Sequence, residues 1–306
     1  MAPTRQFGLV CLLLAAACSD ASGDDPAAGG SENAGSGGAA GSGGSGGSKA
    51  APDCAKGPGY REAPMLWEAG TVTANLVGLD AAPAAGVECQ LCGIDVCIAI
   101  VDSDADGNVT MQAGMPLDSP AFKVGDGLDY AKFALAFPEG TLEHVFANVL
   151  AAELTDTLQP FETGAELASD AITVRFPPTG VAVVDKLSFP EPSQQTFRAV
   201  EIPGNRIASV TPSDLEVELL FATGPVDTEL CPPAQVTVPN RAGWEPGSEV
   251  EFWLHGSEVI TEQWAPYAGW AKVSGGTVSD DGVSVTSNAD EGLPVLGVVG
   301  VRLASP

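Results

Sequence analysis

Basic residues are scarce in this chain of 306 residues, which has 13 Lys and Arg against 40 Asp and Glu and a net charge of −27. Nucleic-acid binding depends on basic groups that neutralise phosphates, so the composition argues against a nucleic-acid partner. It argues equally against attachment by charge to an anionic membrane surface. The excess of carboxylates favours solubility through self-repulsion, and cation binding is the alternative interpretation.

Histidine is nearly absent, and the common catalytic motifs are missing. His144 and His255 are the two histidines, and neither has a nucleophile or a second metal ligand close in sequence. The chain contains no G-x-S-x-G, H-E-x-x-H or phosphate-loop pattern. We therefore expect that the protein is not an enzyme. The alternative is a secreted or anchored hydrolase of extracellular polymers, which a pocket joining two carboxylates would favour.

No stretch of the chain is long and apolar enough for a transmembrane helix, which needs about 20 residues. The apolar residues 7–17 follow Arg5 and end in three alanines directly before Cys18. A positive charge, a short apolar centre and small residues at the end are the features of a secretory signal peptide. The sequence therefore predicts a signal peptide over residues 1–17 and export of the remainder.

The small residues before Cys18 resemble the signal of bacterial lipoproteins, whose cysteine receives acyl chains such as palmitate and becomes the mature N-terminus. The resemblance implies lipid anchoring through Cys18 at the outer membrane or cell surface. It departs from the family at Ala15, where a leucine is usual. Ala15 and Ala17 also suit an ordinary signal peptidase, which would release the protein.

Residues 18–52 consist mainly of Gly, Ser, Ala, Asp and Pro. Such a segment cannot bury a core, so it is predicted to be a disordered tether. About thirty residues of this composition have an r.m.s. span of about 30 Å. A lipid on Cys18 would thus hold the folded part at the end of a flexible leash.

Two-residue alternation of apolar and polar side chains dominates the rest of the chain, as in Gly70–Val77. Short strands every 8–12 residues or so, with turn residues between them, are typical of β-sandwiches. We predict an all-β fold with two sandwich-like domains, residues 53–228 and 229–306. One helix is expected over 142–154, because its apolar residues recur at helical spacing. Arg206–Val210 is among the predicted strands.

Residues 65–138 resemble the carboxypeptidase regulatory-like modules of bacterial surface proteins. The matching pieces are Gly70–Thr73, the turn Pro83–Val87 and the segment Asp104–Val109. The resemblance implies a small prealbumin-like sandwich and a structural or binding role. It implies no catalysis.

Residues 229–306 resemble the ZU5 type of extracellular β-module. The resemblance rests on an ordered string of Pro-Asn, Pro-Gly, Trp, Val-Ser-x-Asp-Gly and Gly-Leu-Pro that ends at Pro294. This module also implies a structural or binding role.

An acidic turn offers a candidate calcium site. Asp102, Asp104 and Asp106 stand at positions 1, 3 and 5 of a Ca²⁺ loop, followed by Gly at position 6 and Asn108. The position of the bidentate Glu is occupied by Ala113. The alternative is a plain β-turn, which favours Asp, Asn and Gly for their local hydrogen bonds. Apart from this hypothetical Ca²⁺, no cofactor is predicted.

Five cysteines follow the tether: Cys54, Cys89, Cys92, Cys97 and Cys231. In an exported protein disulfides are the default, and five thiols leave one unpaired. The simplest local bridge is Cys89–Cys97 or Cys92–Cys97, while a zinc site or a redox pair is the alternative. A Cys54–Cys231 bridge would join the starts of the two predicted domains.

Aromatic residues crowd into the C-terminal part, and Trp264 and Tyr267 lie in a predicted loop. Exposed aromatic side chains at one surface can stack on a sugar ring or on a protein partner, whereas packing in the core is the alternative. The sequence as a whole predicts an exported lipoprotein that serves as a surface-displayed binding or structural module. Its predicted partners are the membrane, through the lipid, and a protein or polysaccharide at the cell surface.

Overall fold

The computed structural model describes residues 54–60 and 66–305, without the side chains of residues 155–158. The predicted signal peptide, Cys18 and the tether lie outside the described residues. One compact unit spans Ala50–Pro306. Within the described part of the chain, no helix has the length and apolarity needed to cross a membrane.

The all-β class is confirmed, since the described residues form mainly strands with one α-helix, α1, at Gly204–Ile207. Two single-turn 3-10 helices lie at Pro192–Gln194 and Thr261–Gln263. The strands are β1 (Leu66–Glu68), β2 (Thr71–Val77), β3 (Glu88–Cys92), β4 (Cys97–Asp102), β5 (Asn108–Gln112), β6 (Pro116–Asp118), β7 (Ala121–Val124), β8 (Phe133–Ala136), β9 (Glu143–Leu150), β10 (Thr155–Pro160), β11 (Glu166–Ala168), β12 (Thr173–Arg175), β13 (Val181–Val183), β14 (Thr196–Ile202), β15 (Leu219–Gly224), β16 (Glu229–Pro239), β17 (Glu249–His255), β18 (Trp270–Val278), β19 (Ser284–Ser287), β20 (Leu293–Val295) and β21 (Val298–Leu303).

Two sheets form the N-terminal sandwich. Their strand orders are β5-β2-β9 and β4-β3-β7-β8, and a two-stranded ribbon of β1 and β6 lies beside them. Alternation puts Val72 and Leu76 of β2 in the same core as Leu91 of β3 and Phe122 of β7. The opposite face of β7 therefore presents Lys123 away from that core.

The helix predicted over 142–154 is wrong, because Glu143–Leu150 forms β9, which runs parallel to β2. The pairing with β2 is irregular between Ala74 and Leu76, and Asn148 has a φ of 54°. This irregularity shifts the phase of the alternation, so Val149 and Leu150 are both buried. The bulge thus explains the adjacent buried pair Val149 and Leu150, whereas Leu142 and Val145, which also suggested a helix, are exposed.

Strands from both sides of the predicted domain boundary at residues 228 and 229 share one 12-stranded sheet. Its main order is β10-β14-β15-β21-β17-β18-β19-β16-β12-β11, with β13 and β20 also paired to β16. β15 pairs with β21, so the chain does not separate into two sheets at this boundary. The strand predicted at Arg206–Val210 is wrong, because α1 and a turn are found there.

The two parts of the fold are in direct contact. The core of the N-terminal sandwich extends to Ile202 of β14, Leu220 of β15 and Val298 of β21. A second core lies within the large sheet and includes Val236, Phe252 and Val285. The junction between the parts is where charged and aromatic side chains collect.

Candidate functional site

Two buried lysines meet one carboxylate at this junction. Lys123 of β7 and Lys132, just before β8, place their ammonium groups 3.4 and 3.2 Å from Glu258 Oε1. Each lysine side chain is only 4% exposed, and Glu258 is 24% exposed. Glu258 lies in the loop after β17, so the cluster links the N-terminal sandwich to the large sheet.

Each ammonium group has a further partner. Lys132 Nζ donates to Gln90 Oε1 at 3.2 Å, and Lys123 Nζ lies 5.1 Å from the centroid of the Tyr267 ring. Burial lowers the pKa of Lys123, although Glu258 opposes that shift. A cation that contacts a carboxylate and an aromatic face stays charged at less cost than one in an apolar site.

Backbone amides in the same loop are capped by Asp227, which follows β15. Its carboxylate oxygens accept from the N–H groups of Ile260 and Thr261, both at 2.9 Å. Burial raises the pKa of Asp227 to about 7 despite these bonds. Burial also raises the pKa of Glu262 to about 7. Protonation of these two carboxyls therefore changes near neutral pH.

His255, at the end of β17, is a buried and neutral junction residue. Its Nε2 accepts from the Ala134 N–H at 2.9 Å, so Nδ1 carries the proton and donates to Gly269 O at 2.9 Å. Burial lowers the pKa of His255 to about 4. This histidine is a hydrogen-bonded link between the sandwich and the large sheet.

A polar cleft of about 440 Å³ opens beside the lysines. Glu88, Asp126, Asp227 and Glu258 line it together with Lys132. Such a cleft is the feature that would favour a hydrolase. Asp227 and Glu258 already have partners, however, since the first caps the loop and the second bridges the lysines.

An aromatic groove adjoins the cluster and consists of two hollows of about 250 and 270 Å³. Both hollows share Tyr60, Ile94 and Tyr267. The first is mainly apolar and adds Trp67, Ser119, Pro120, Ala136, Phe137, Glu139, Pro266 and Ala268. The second adds Gly59, Asp95, Val259, Glu262 and Gln263.

The predicted aromatic pair is divided by the fold. Tyr267 lines the groove, and its hydroxyl donates to Cys92 O at 3.3 Å. Trp264 packs against the core of the large sheet instead and does not line the groove. Packing therefore accounts for Trp264, while Tyr267 keeps a binding role as a hypothesis.

Sequence patterns missed the residues that complete these sites. Tyr60, Trp67 and Phe137 come from three separate segments, so no local spacing connects them. Lys123 did carry a signal, because it is a charged residue inside the otherwise apolar strand Ala121–Val124. A lysine at such a position implies a buried partner.

The acidic turn between β4 and β5 has a local structural role. Asp104 Oδ1 accepts from the N–H groups of Asp106 and Asn108, at 2.9 and 2.7 Å. Gly107 has a φ of +76°, which favours glycine. Among the described residues, no three His, Cys, Asp or Glu side chains are grouped to hold a metal ion. The hydrogen bonds of Asp104 are those of a turn, and calcium binding by Asp102, Asp104, Asp106 and Asn108 stays a prediction.

Four of the five cysteines form disulfides, Cys54–Cys231 and Cys92–Cys97. Cys89 is free and buried, which excludes the alternative Cys89–Cys97 bridge. The Cys92–Cys97 bridge uses two of the thiols on which the zinc and redox hypotheses depended. Two disulfides indicate an oxidising compartment.

No protein-family model matches the chain, and no curated protein sequence is significantly similar to it. The solved structure of 5-hydroxyisourate hydrolase from Klebsiella pneumoniae is similar over 30% of this chain and 92% of its own, with 16% identity and a TM-score of 0.22. The major pilin subunit of Bacillus cereus is similar over 77% of this chain and 88% of its own, with 11% identity and a TM-score of 0.21. These TM-scores are too low to support an argument, so the two family resemblances stay predictions.

Proposed function

We propose that the protein is an exported lipoprotein whose folded body is displayed at the cell surface as a structural and binding module. Lipid on Cys18 would hold the chain, and residues 18–52 would provide reach. The two disulfides suit this location, because such bonds persist outside the reducing cytoplasm.

One observation carries the structural role: the first described residue after the tether, Cys54, is bonded to Cys231. Cys231 lies in β16, which pairs with β12, β13, β19 and β20. Tension on the tether would therefore enter a strand that is held by many neighbours. Residues 55–230 would be protected from that tension by the covalent bypass.

Single-molecule pulling between residue 50 and the C-terminus tests this load path. With the disulfide intact, the unfolding extension should correspond to the roughly 75 residues after Cys231, about 260 Å of chain. The Cys54→Ser/Cys231→Ser variant should release about 250 residues, or roughly 880 Å. Release of the longer length from the oxidised wild type would contradict the proposal.

Cell fractionation tests the anchor separately. We expect Cys18→Ser to move the protein from the membrane fraction to the soluble exported fraction, with Ser19→Ala as the matched control. An unchanged membrane fraction would contradict anchoring through Cys18, and a soluble wild-type protein would favour cleavage by an ordinary signal peptidase.

A hydrolase is the second candidate, because Asp227 and Glu258 line one polar cleft and Asp227 has a pKa of about 7. A proton-holding carboxyl beside an ionised one is the pairing that glycoside hydrolysis uses. Purified protein should then release reducing ends from extracellular polysaccharides, and Asp227→Asn should abolish the release. Equal activity in the variant would exclude this cleft as the active site.

A further inference from the structure

We propose that the first hollow of the aromatic groove binds the ammonium group of a small organic cation, with a quaternary ammonium as the preferred head group. This inference deepens the binding part of the proposed function. It is independent of Cys18 and of the load path, so the tests above can fail without affecting it. The proposed binding does not require the lipid, so it would hold equally for a protein that a signal peptidase has released from the membrane.

Two walls of the hollow are held nearly perpendicular. The ring centroids of Trp67 and Phe137 are 6.3 Å apart, with an angle of 70° between the planes. Phe137 is fixed by His144, which stacks on it with ring centroids 4.0 Å apart and an angle of 17°. Trp67 and Phe137 both line the hollow in this edge-to-face arrangement, so a rounded cation there would contact two aromatic rings, as in the cages that recognise quaternary ammonium groups.

Tyr60 and Tyr267 supply two more aromatic side chains to the same hollow. Tyr60 is 39% exposed, so it stands at the rim, whereas Tyr267 is fixed through its hydroxyl bond to Cys92 O. Tyr267 already contacts the Lys123 ammonium group, whose charge Glu258 balances at 3.4 Å. The Tyr267 ring therefore already contacts one cation, the ammonium group of Lys123.

The charges around the groove favour a cation. Glu139 lines the first hollow, and Asp95 and Glu262 line the second. No Lys or Arg is among the described residues that line either hollow. A carboxylate beside aromatic faces attracts an ammonium group and repels an anionic ligand.

The size of the hollow limits the ligand. Its volume is about 250 Å³, below the roughly 300–1,000 Å³ that is typical of drug-sized ligands. It suits a compact head group such as trimethylammonium. The rest of the ligand would extend toward the second hollow or into solvent.

Calorimetric titration of the oxidised protein with choline and with 3,3-dimethylbutan-1-ol tests the proposal. The alcohol has the same shape as choline, but a neutral carbon replaces the charged nitrogen. Because a cation–π contact adds to apolar burial, we expect choline to bind about tenfold more tightly than the alcohol. Equal affinity would show that the hollow is merely apolar, and absence of saturable binding for both would overturn the proposal.

Variants locate the site. Tyr60→Leu, at the exposed rim, should weaken choline binding about fivefold without loss of the fold, and Trp67→Leu should weaken it more. Glu139→Gln should weaken binding of choline but not of the neutral alcohol, whereas Glu245→Gln, an exposed residue outside the groove, should change neither. If choline binds Glu139→Gln and the Tyr60 variant as it binds the wild type, the ligand is elsewhere and the proposal is wrong.

Discussion

Lys123 Nζ lies 3.4 Å from Glu258 Oε1, across the junction between the N-terminal sandwich and the large sheet. Lys132 lies 3.2 Å from the same oxygen, so one carboxylate balances two ammonium groups. Since both lysines are buried, neither could recover its hydration if Glu258 were lost. This carboxylate is therefore one of the residues that stabilise the junction.

We expect Glu258→Gln to lower the free energy of unfolding by about 3–5 kcal/mol, because it removes the carboxylate that both buried ammonium groups contact. Urea denaturation followed by tryptophan fluorescence measures the loss. Glu166→Gln is the matched control, since it removes the exposed Glu166–Arg175 ion pair and should cost no more than about 1 kcal/mol. Equal losses in the two variants would contradict a special role of Glu258.

The long disulfide should stabilise the protein more than the short one. Cys54 and Cys231 are 177 residues apart, whereas Cys92 and Cys97 are 5 apart. From the loss of loop-closure entropy, we expect Cys54→Ser/Cys231→Ser to cost about 5 kcal/mol and Cys92→Ser/Cys97→Ser about 2 kcal/mol. Equilibrium denaturation of the two double variants checks this order, and a reversed order would contradict the entropic argument.

The titration of His255, taken by itself, should lower the free energy of unfolding in mild acid. Its pKa is about 4 in the fold, below the ordinary value of 6.5, so the unfolded chain binds the proton more readily between these values. The contribution is complete above pH 6.5 and is lost as the pH falls to about 4, on the order of 3 kcal/mol in all. Nitrogen-15 NMR should show a neutral ring with its proton on Nδ1 down to about pH 4.

Asp227 and Glu262 change the free energy of unfolding with pH in the direction opposite to His255. Their pKa values of about 7 exceed the ordinary ones, so their contribution is complete near pH 4 and is lost as the pH rises to 7. A variant isolates the histidine from them. Between pH 4 and 6.5 the two carboxyls outweigh His255, so the free energy of unfolding should fall as the pH rises; His255→Gln should make that fall steeper and leave the slope above pH 6.5 unchanged. An unaltered slope between pH 4 and 6.5 would show that His255 does not contribute to the pH dependence.

Cys89 should be unreactive in the native protein. Burial, with smaller effects of Asp102 and Glu88, raises the pKa of its thiol to about 12, so almost no thiolate exists at pH 8. Iodoacetamide should label Cys89 only after unfolding without reductant, as measured by peptide mass spectrometry. Rapid labelling of the native protein would contradict its burial.

Local patterns predicted the strands well where the alternation was regular. Val72, Ala74 and Leu76 of β2 are all buried, as their spacing indicated. The prediction failed in β9, where the irregularity at Asn148 moved the buried positions out of phase. A periodic pattern reports only the regular part of a strand, so it cannot detect a bulge that depends on the neighbouring strand.

The sites were less accessible to sequence reasoning. Lys123 and Glu258 are far apart in the chain, and so are Trp67 and Tyr267, so no motif joins either pair. Cysteine counting, by contrast, did suggest Cys54–Cys231, because the cysteines of an exported protein are expected to form disulfides. The expectation that cysteines pair can thus connect residues that are far apart in the chain, whereas the periodicity of apolar residues describes only one segment at a time.

The sequence by itself determined the negative charge and the alternation that makes the fold all-β, because each is a property of composition or of neighbouring residues. Only the tertiary structure decided that β15 pairs with β21 across the expected boundary, that Glu258 lies between Lys123 and Lys132, and that separate segments build the aromatic groove. Such contacts depend on which strands pair and which faces pack. Those choices are made by the free energy of the whole chain, not by any one segment.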